Sequence, residues 1–233
     1  MEHLPIYIKI VFSLTTFLTI LLLFRAANYS RPLVVTLLSW LILQAVISLT
    51  GFYTVTDVMP PRFALLLLPP LAAVLCILFT KKGREFMDGT DVRTLTLLHV
   101  VRIPVELILY SLYIYKVIPE IMTFEGRNFD ILCGLTAPFI YYFGYIKNIL
   151  NKKILLAWNI LCLLLLANIV VTAALSAPFP IQRFAFGQPN IALLYFPFIW
   201  LPSVIVPAAL FAHAVSIKQL IKSPVESGQL SNK

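Results

Sequence analysis

His99, Arg102 and Glu106 stand in the stretch HVVRIPVELILY, residues 99–110, inside a chain that otherwise keeps charge out of its long apolar runs. Their spacing is i, i+3, i+7, which places all three on one face of an α-helix, with Tyr110 continuing that face. The chemistry open to such a face is narrow. A carboxylate can exchange a proton or hold a cation, a guanidinium can act as counter-charge, and an imidazole can relay a proton or ligate a metal. A second histidine, His213, falls in the last apolar run. The two imidazoles could ligate haem axially, or zinc together with Glu106. No HExxH, HxxxH or Cys-His cluster supports that reading, so the metal hypothesis rests on His99 and His213 alone. Cys76, Cys133 and Cys162 lie within apolar runs without CxxC spacing and read as small hydrophobes.

The elements that must carry these residues are membrane helices. Of 233 residues, 60% are hydrophobic and 12% charged, and the mean hydropathy is +0.92. A soluble domain carries roughly 25% charged residues. The net charge of +8 does not point to nucleic acid, because the basic residues sit in short clusters between apolar runs. The first apolar run is preceded by a single Lys and a Glu and is followed by Arg25 and Arg31. It therefore reads as a retained helix and not a cleaved signal peptide.

A spanning helix needs about 20 mostly apolar residues. Seven segments qualify: Ile6–Phe24, Pro32–Tyr53, Phe63–Thr80, Thr94–Val117, Phe129–Ile146, Ile154–Ser176 and Ile191–Ile217. The expected architecture is thus an all-α integral membrane protein, one transmembrane domain over residues 1–222 with a polar tail at 223–233. Pro69-Pro70 should kink or break the third segment. Alternate loops hold twelve and five Lys or Arg, which puts the N-terminus outside and the C-terminus in the cytoplasm. A plasma or inner membrane fits such a chain best.

With direction set, depth follows from the rise of about 1.5 Å per residue. His99, His213 and Asn159 fall in one layer, roughly 8–9 Å above the cytoplasmic end. Glu106, Asn168 and Gln44 fall in a second, near the middle, with Arg102 between the two. Charge at that depth is costly and is normally paired and turned inward. Its plainest role is an i, i+4 pair of Arg102 with Glu106 that glues helices together. Its functional role would be a lined cavity for a solute or a proton.

Two outer loops carry more polar residues than a connection needs. EIMTFEGRNFD (120–130) brings Glu125, Arg127 and Asp130, and SAPFPIQRFAFGQPN (176–190) brings Arg183 and Gln188. Asn128, Asp130 and Asn190 could cap the following helices. Alternatively, Arg127 and Arg183 could face an anionic group at a mouth. Pro197, Pro202 and Pro207 interrupt the seventh segment and free backbone carbonyls, bringing Ser203 into the freed region. Retinal proteins are similar in size and helix number, but Ile191–Ala214 has no lysine, which argues against a retinal Schiff base.

The sequence therefore leads to a multi-pass protein in a lipid bilayer that binds or moves a small solute or proton, with Glu106 titrating. A metal- or haem-dependent enzyme at His99 and His213, or a structural subunit, would carry the same polar layers. The identity of the ligand and the oligomeric state are left open by the residues.

Overall fold

The computed structural model describes residues 3–222, and the polar tail at 223–233 lies outside them. The described residues are helical and contain no strand. Nine α-helices follow one another: α1 (Ile6–Ala26), α2 (Arg31–Leu49), α3 (Ala64–Phe79), α4 (Lys81–Asp88), α5 (Val92–Leu98), α6 (Arg102–Ile114), α7 (Ile131–Phe139), α8 (Lys152–Ser176) and α9 (Val206–Lys222). Five stretches are long and apolar enough to cross a bilayer: α1, α2, the α5–α6 run Val92–Ile114, α8, and Leu201–Lys222.

Polarity runs inside out. Ile6, Ile10, Leu14, Phe17 and Leu21 of α1 point outward, as do Val35, Ile42 and Leu49 of α2 and Leu161, Leu164 and Val171 of α8. The interior instead buries Thr16, Thr19, Gln44, His99, Arg102, Glu106, Asn128, Asp130, Asn159 and His213. Water would not tolerate that exterior, whereas hydrocarbon would.

Three segments depart from the sequence expectation, each for a reason of backbone chemistry. α3 runs unbroken through Pro69 and Pro70, and the break comes after it, at Thr80. There the chain bends by 86° into α4. Thr80 is extended, and its hydroxyl accepts from the Gly83 N–H, so the residue ends one helix and caps the next. α4 then carries Lys81, Lys82 and Arg84 outward and buries Met87.

The fifth segment is short. Ile131–Ile146 is apolar but below spanning length, passing from α7 into a π-helical turn at Ile140–Ile146 just after Pro138. It is short because α7 starts inside the bundle: Asp130, the residue preceding it, pairs with Arg102 at the opposite end of α6 from Ile114. The chain from Val117 to Asn128 folds down to reach that point and buries Val117, Ile118 and Met122.

The seventh segment is not helical over its first ten residues. Residues 191–200 form a short 3-10 turn and bends, a π-helical turn follows at Leu201–Ile205, and only then does α9 begin. Pro197, Pro202 and Pro207 lack the donors a regular helix needs. Most of the irregular chain is buried, and several of its polar groups bond to other segments. The Ile191 and Ala192 N–H groups donate to the Val117 carbonyl, and Asn190 donates to Ser176 and Ala173. Asn190 thus ties to α8 and does not cap a helix. The Ser203 carbonyl, which Pro207 cannot reach, accepts from the Trp40 indole at 3.0 Å.

Candidate functional site

The polar centre is assembled by α5, α6, α7, α8 and α9. Pro104 has no N–H for the Val100 carbonyl, and the helix tightens to a 3-10 turn at His99–Val101 before α6 resumes at Arg102. His99 therefore opens the deformed turn and Arg102 directly follows it. Gly134 of α7 sits directly against this turn. A Cβ there would lie 2.9 Å from Ile103 Cγ1, 3.1 Å from the Ile103 nitrogen and 3.2 Å from the His99 carbonyl oxygen. The close approach brings Asp130 and Cys133 of α7 to Arg102 and His99.

Arg102 is 3% exposed and forms an ion pair with Asp130. It does not pair with Glu106. Side chains on a helix lean toward its N-terminus, so Arg102, placed before Glu106, points away from it. The other guanidinium arm lies 3.0 Å from Nε2 of His213. Arginine has no lone pair to offer, so Nε2 must accept, and the His213 proton sits on Nδ1. From Nδ1 it is donated to Asn159 Oδ1 at 3.0 Å, and Asn159 passes its own amide to the Leu155 carbonyl. Each link of the chain Asp130–Arg102–His213–Asn159 has a defined donor and acceptor, while Arg102 Nε stays without a partner.

Glu106 takes a different partner. Asn128 donates its amide to both carboxylate oxygens at 2.7 Å and to the Met122 carbonyl at 3.0 Å. Its Oδ1 receives the Asp130 N–H at 3.1 Å. One amide thus fixes both acids. Arg102, Asp130 and Glu106 line one end of a cavity of about 60 Å³ whose other walls are apolar, among them Leu109, Leu166, Ile169 and Ile205.

His99 is the exception to this order. It is completely buried, and neither ring nitrogen has a hydrogen-bond partner. Leaving such a group unpaired costs about 1–3 kcal/mol. Its ring stacks on His213 at 4.0 Å between centroids and 18° between planes, with Trp158 edge-on at 5.6 Å. Stacked rings present faces to each other, so they cannot grip a haem from its two sides. Glu106, held by Asn128, does not complete a zinc site with them. A smaller ion has a different third donor: one ligand atom each from His99, Cys133 and His213 lie within 4.8 Å of one another.

The central layer proposed from depth does not form one cluster. Gln44 accepts a hydrogen bond from Tyr53 in a separate buried pair. Asn168 is exposed and donates to the Arg127 carbonyl at 2.9 Å. Depth arithmetic fixes height but not the direction a residue faces. At the outer surface, Arg127, Arg183 and Gln188 line one open depression of about 760 Å³ with Glu120. Glu125 is hydrogen-bonded to Tyr110, whose ring stacks on Phe124 at 4.9 Å. Asp130, grouped with this mouth from sequence, belongs to the interior. Asn128 and Cys133 were legible only as a cap and a hydrophobe. The hint was their register: Asp130, Cys133 and Gly134 share one side of α7 at i, i+3, i+4.

Fold and site together define a class: an all-helical protein whose described residues include five helices long and apolar enough to cross a membrane, with a charged network buried among them. Its family follows from the sequence, because residues 59–221 match the family described as Domain of unknown function (DUF8737). The chain belongs to that family, and the match takes in every residue of the Arg102 network while leaving out α1 and α2. No curated protein and no solved structure matches the chain.

Proposed function

We propose that this chain is a multi-pass membrane protein that binds and passes protons or a comparably small cation at Glu106. The observation that carries the reading is a charge count at the cavity. One buried cation, Arg102, faces two buried carboxylates, Asp130 and Glu106, and Asp130 holds the cation. Neutrality of the cluster needs one more positive charge, either a proton on Glu106 or a cation in the cavity. The cavity supports a small ligand: at about 60 Å³ it suits a few waters or an ion, while drug-sized ligands use roughly 300–1,000 Å³. Arg102, His213 and Asn159 continue the hydrogen-bonded chain away from Glu106.

In this reading the chain crosses the membrane seven times as one domain. α3 and the Ile131–Ile146 stretch complete the count, the N-terminus is outside, and α4 lies along the cytoplasmic surface with its lysines toward lipid headgroups. A plasma or inner membrane is the natural place for it.

The test is proton flux into liposomes holding purified protein and a trapped pH dye, under an imposed potassium diffusion potential. Wild type is expected to acidify the lumen faster than protein-free liposomes, and Glu106→Gln to fall to the background rate. Wild-type flux at background, or full flux in Glu106→Gln, defeats the proposal.

A further inference from the structure

We infer that His99, Cys133 and His213 form a binding site for a monovalent soft metal ion, Cu(I). The site adjoins the Glu106 cavity through Arg102, which lines that cavity and bonds to His213, but it does not rest on proton transfer there. Three independent features converge on it. The ligand atoms of the three residues lie within 4.8 Å of one another, close enough to surround one ion with modest side-chain rotation. His99 is completely buried, yet both of its nitrogens lack partners, so it can coordinate without surrendering a hydrogen bond. Finally, Gly134 brings α7 against the His99 turn so closely that a methyl group would collide, and this approach delivers the Cys133 thiol to the imidazoles.

The donor set selects the metal. One thiolate with two imidazoles is the combination that copper favours, whereas hard cations seek oxygen. Coordination number points the same way, since three protein ligands satisfy Cu(I), whereas Zn²⁺ with three takes a water as its fourth and both imidazoles here are fully buried. Charge decides between them. Binding Cu(I) displaces the Cys133 thiol proton to solvent, forming one S–Cu bond and breaking one S–H bond with no change of oxidation state. The site gains no net charge beside the Arg102–Asp130 pair, whereas Zn²⁺ would add one positive charge next to a buried guanidinium. His213 gives up one hydrogen bond for the metal, from Arg102 or from Asn159, and keeps the other as its orienting outer contact.

The experiment is an anaerobic titration of the full-length protein in detergent with Cu(I), in competition with a chromophoric Cu(I) chelator. Wild type is expected to hold one ion per chain, with an X-ray absorption edge and scattering shell of one sulfur and two nitrogens. Cys133→Ser and His99→Ala should each weaken binding by more than about 100-fold, the ceiling for residues that merely support ligands. Cys162→Ser, which alters the buried thiol hydrogen-bonded to Cys133, should change it by less than about 100-fold. Circular dichroism of each variant separates lost ligands from lost folding, and the near-isosteric Cys133→Ser serves if His99→Ala does not fold. Glu106→Gln should bind Cu(I) as wild type does, so failure of the proton reading leaves this result untouched. Absence of stoichiometric uptake, retention of copper by folded Cys133→Ser, or tighter binding of zinc than of copper would each overturn the assignment.

Discussion

At the scale of single residues, the buried charges are held by partners on other segments of the chain, and that makes each one costly to remove alone. Asp130→Ala leaves Arg102 as an uncompensated charge in the interior. A loss of about 3–5 kcal/mol is expected, read as a lowered unfolding midpoint in detergent. Replacing both partners by apolar residues of similar size, Arg102→Met with Asp130→Leu, should recover much of that loss, because a well-packed apolar pair carries no desolvation penalty. A double variant no more stable than Asp130→Ala would mean that Arg102 is held chiefly by His213 and the Cys162 carbonyl.

At the scale of elements, two joints can be tested. Trp40 of α2 fills the carbonyl that Pro207 leaves open on Ser203. Trp40→Phe should cost about 1–3 kcal/mol, the range for a buried polar group left unmatched. In a Pro207→Ala background α9 can supply its own donor, so the same change should cost measurably less; equal costs in both backgrounds would detach Trp40 from that role. The second joint clasps α4 to α9 through Asp88, which pairs with Lys218 at 2.7 Å and Lys222 at 2.8 Å. The hydrogen bond from Lys218, and then that from Lys222, hold the Asp88 carboxyl below the ordinary carboxylate range. A depressed carboxylate stabilises the fold at pH above its unfolded value, and the contribution fades as pH falls through the lowered one. The α4–α9 clasp should therefore loosen only in acid and in high salt, seen as a growing spin-label distance between the helices. Asp88→Asn should be loose at neutral pH and show no acid transition.

The same scale shows what the sequence can and cannot disclose. Hydropathy located the long apolar helices but not the polar α4, and periodicity put His99, Arg102 and Glu106 on one face, because both depend on local chain geometry. It could not show that Arg102 turns to Asp130, since that choice depends on α7 starting deep in the bundle. The α7 start is set in turn by how Val117–Asn128 folds against residues 190–192. Proline positions predicted a disturbed seventh segment, but not that its first ten residues abandon the helix. Partners such as Asn128 and Cys133 are non-local, and no spacing rule reaches them.

At the scale of the whole molecule, an apolar exterior around a polar centre suits a bilayer, and the orientation proposed for the chain in it can be tested. The prediction is checked with a membrane-impermeant maleimide on intact cells, in a chain carrying Cys76→Ser because Cys76 is exposed. A cysteine placed at Arg183→Cys should label from outside, and one at Lys82→Cys only after the membrane is opened. The reverse pattern would invert the orientation, and labelling of both from outside would break the seven-span count.

The Trp40–Ser203 bond has a counterpart, since the Trp200 indole donates to the Leu41 carbonyl at 3.1 Å. These two indoles stitch α2 to the weakest stretch of chain before α9, and α2 lies outside the family match at 59–221. In this chain, a carbonyl left open within the matched region is thus satisfied by a residue from outside it. During synthesis the first two helices reach the membrane early, and Trp40 is in place before Ser203 leaves the ribosome. The second helix acts as a built-in assembly partner for the closing one, present in the chain before the segment whose gap it fills.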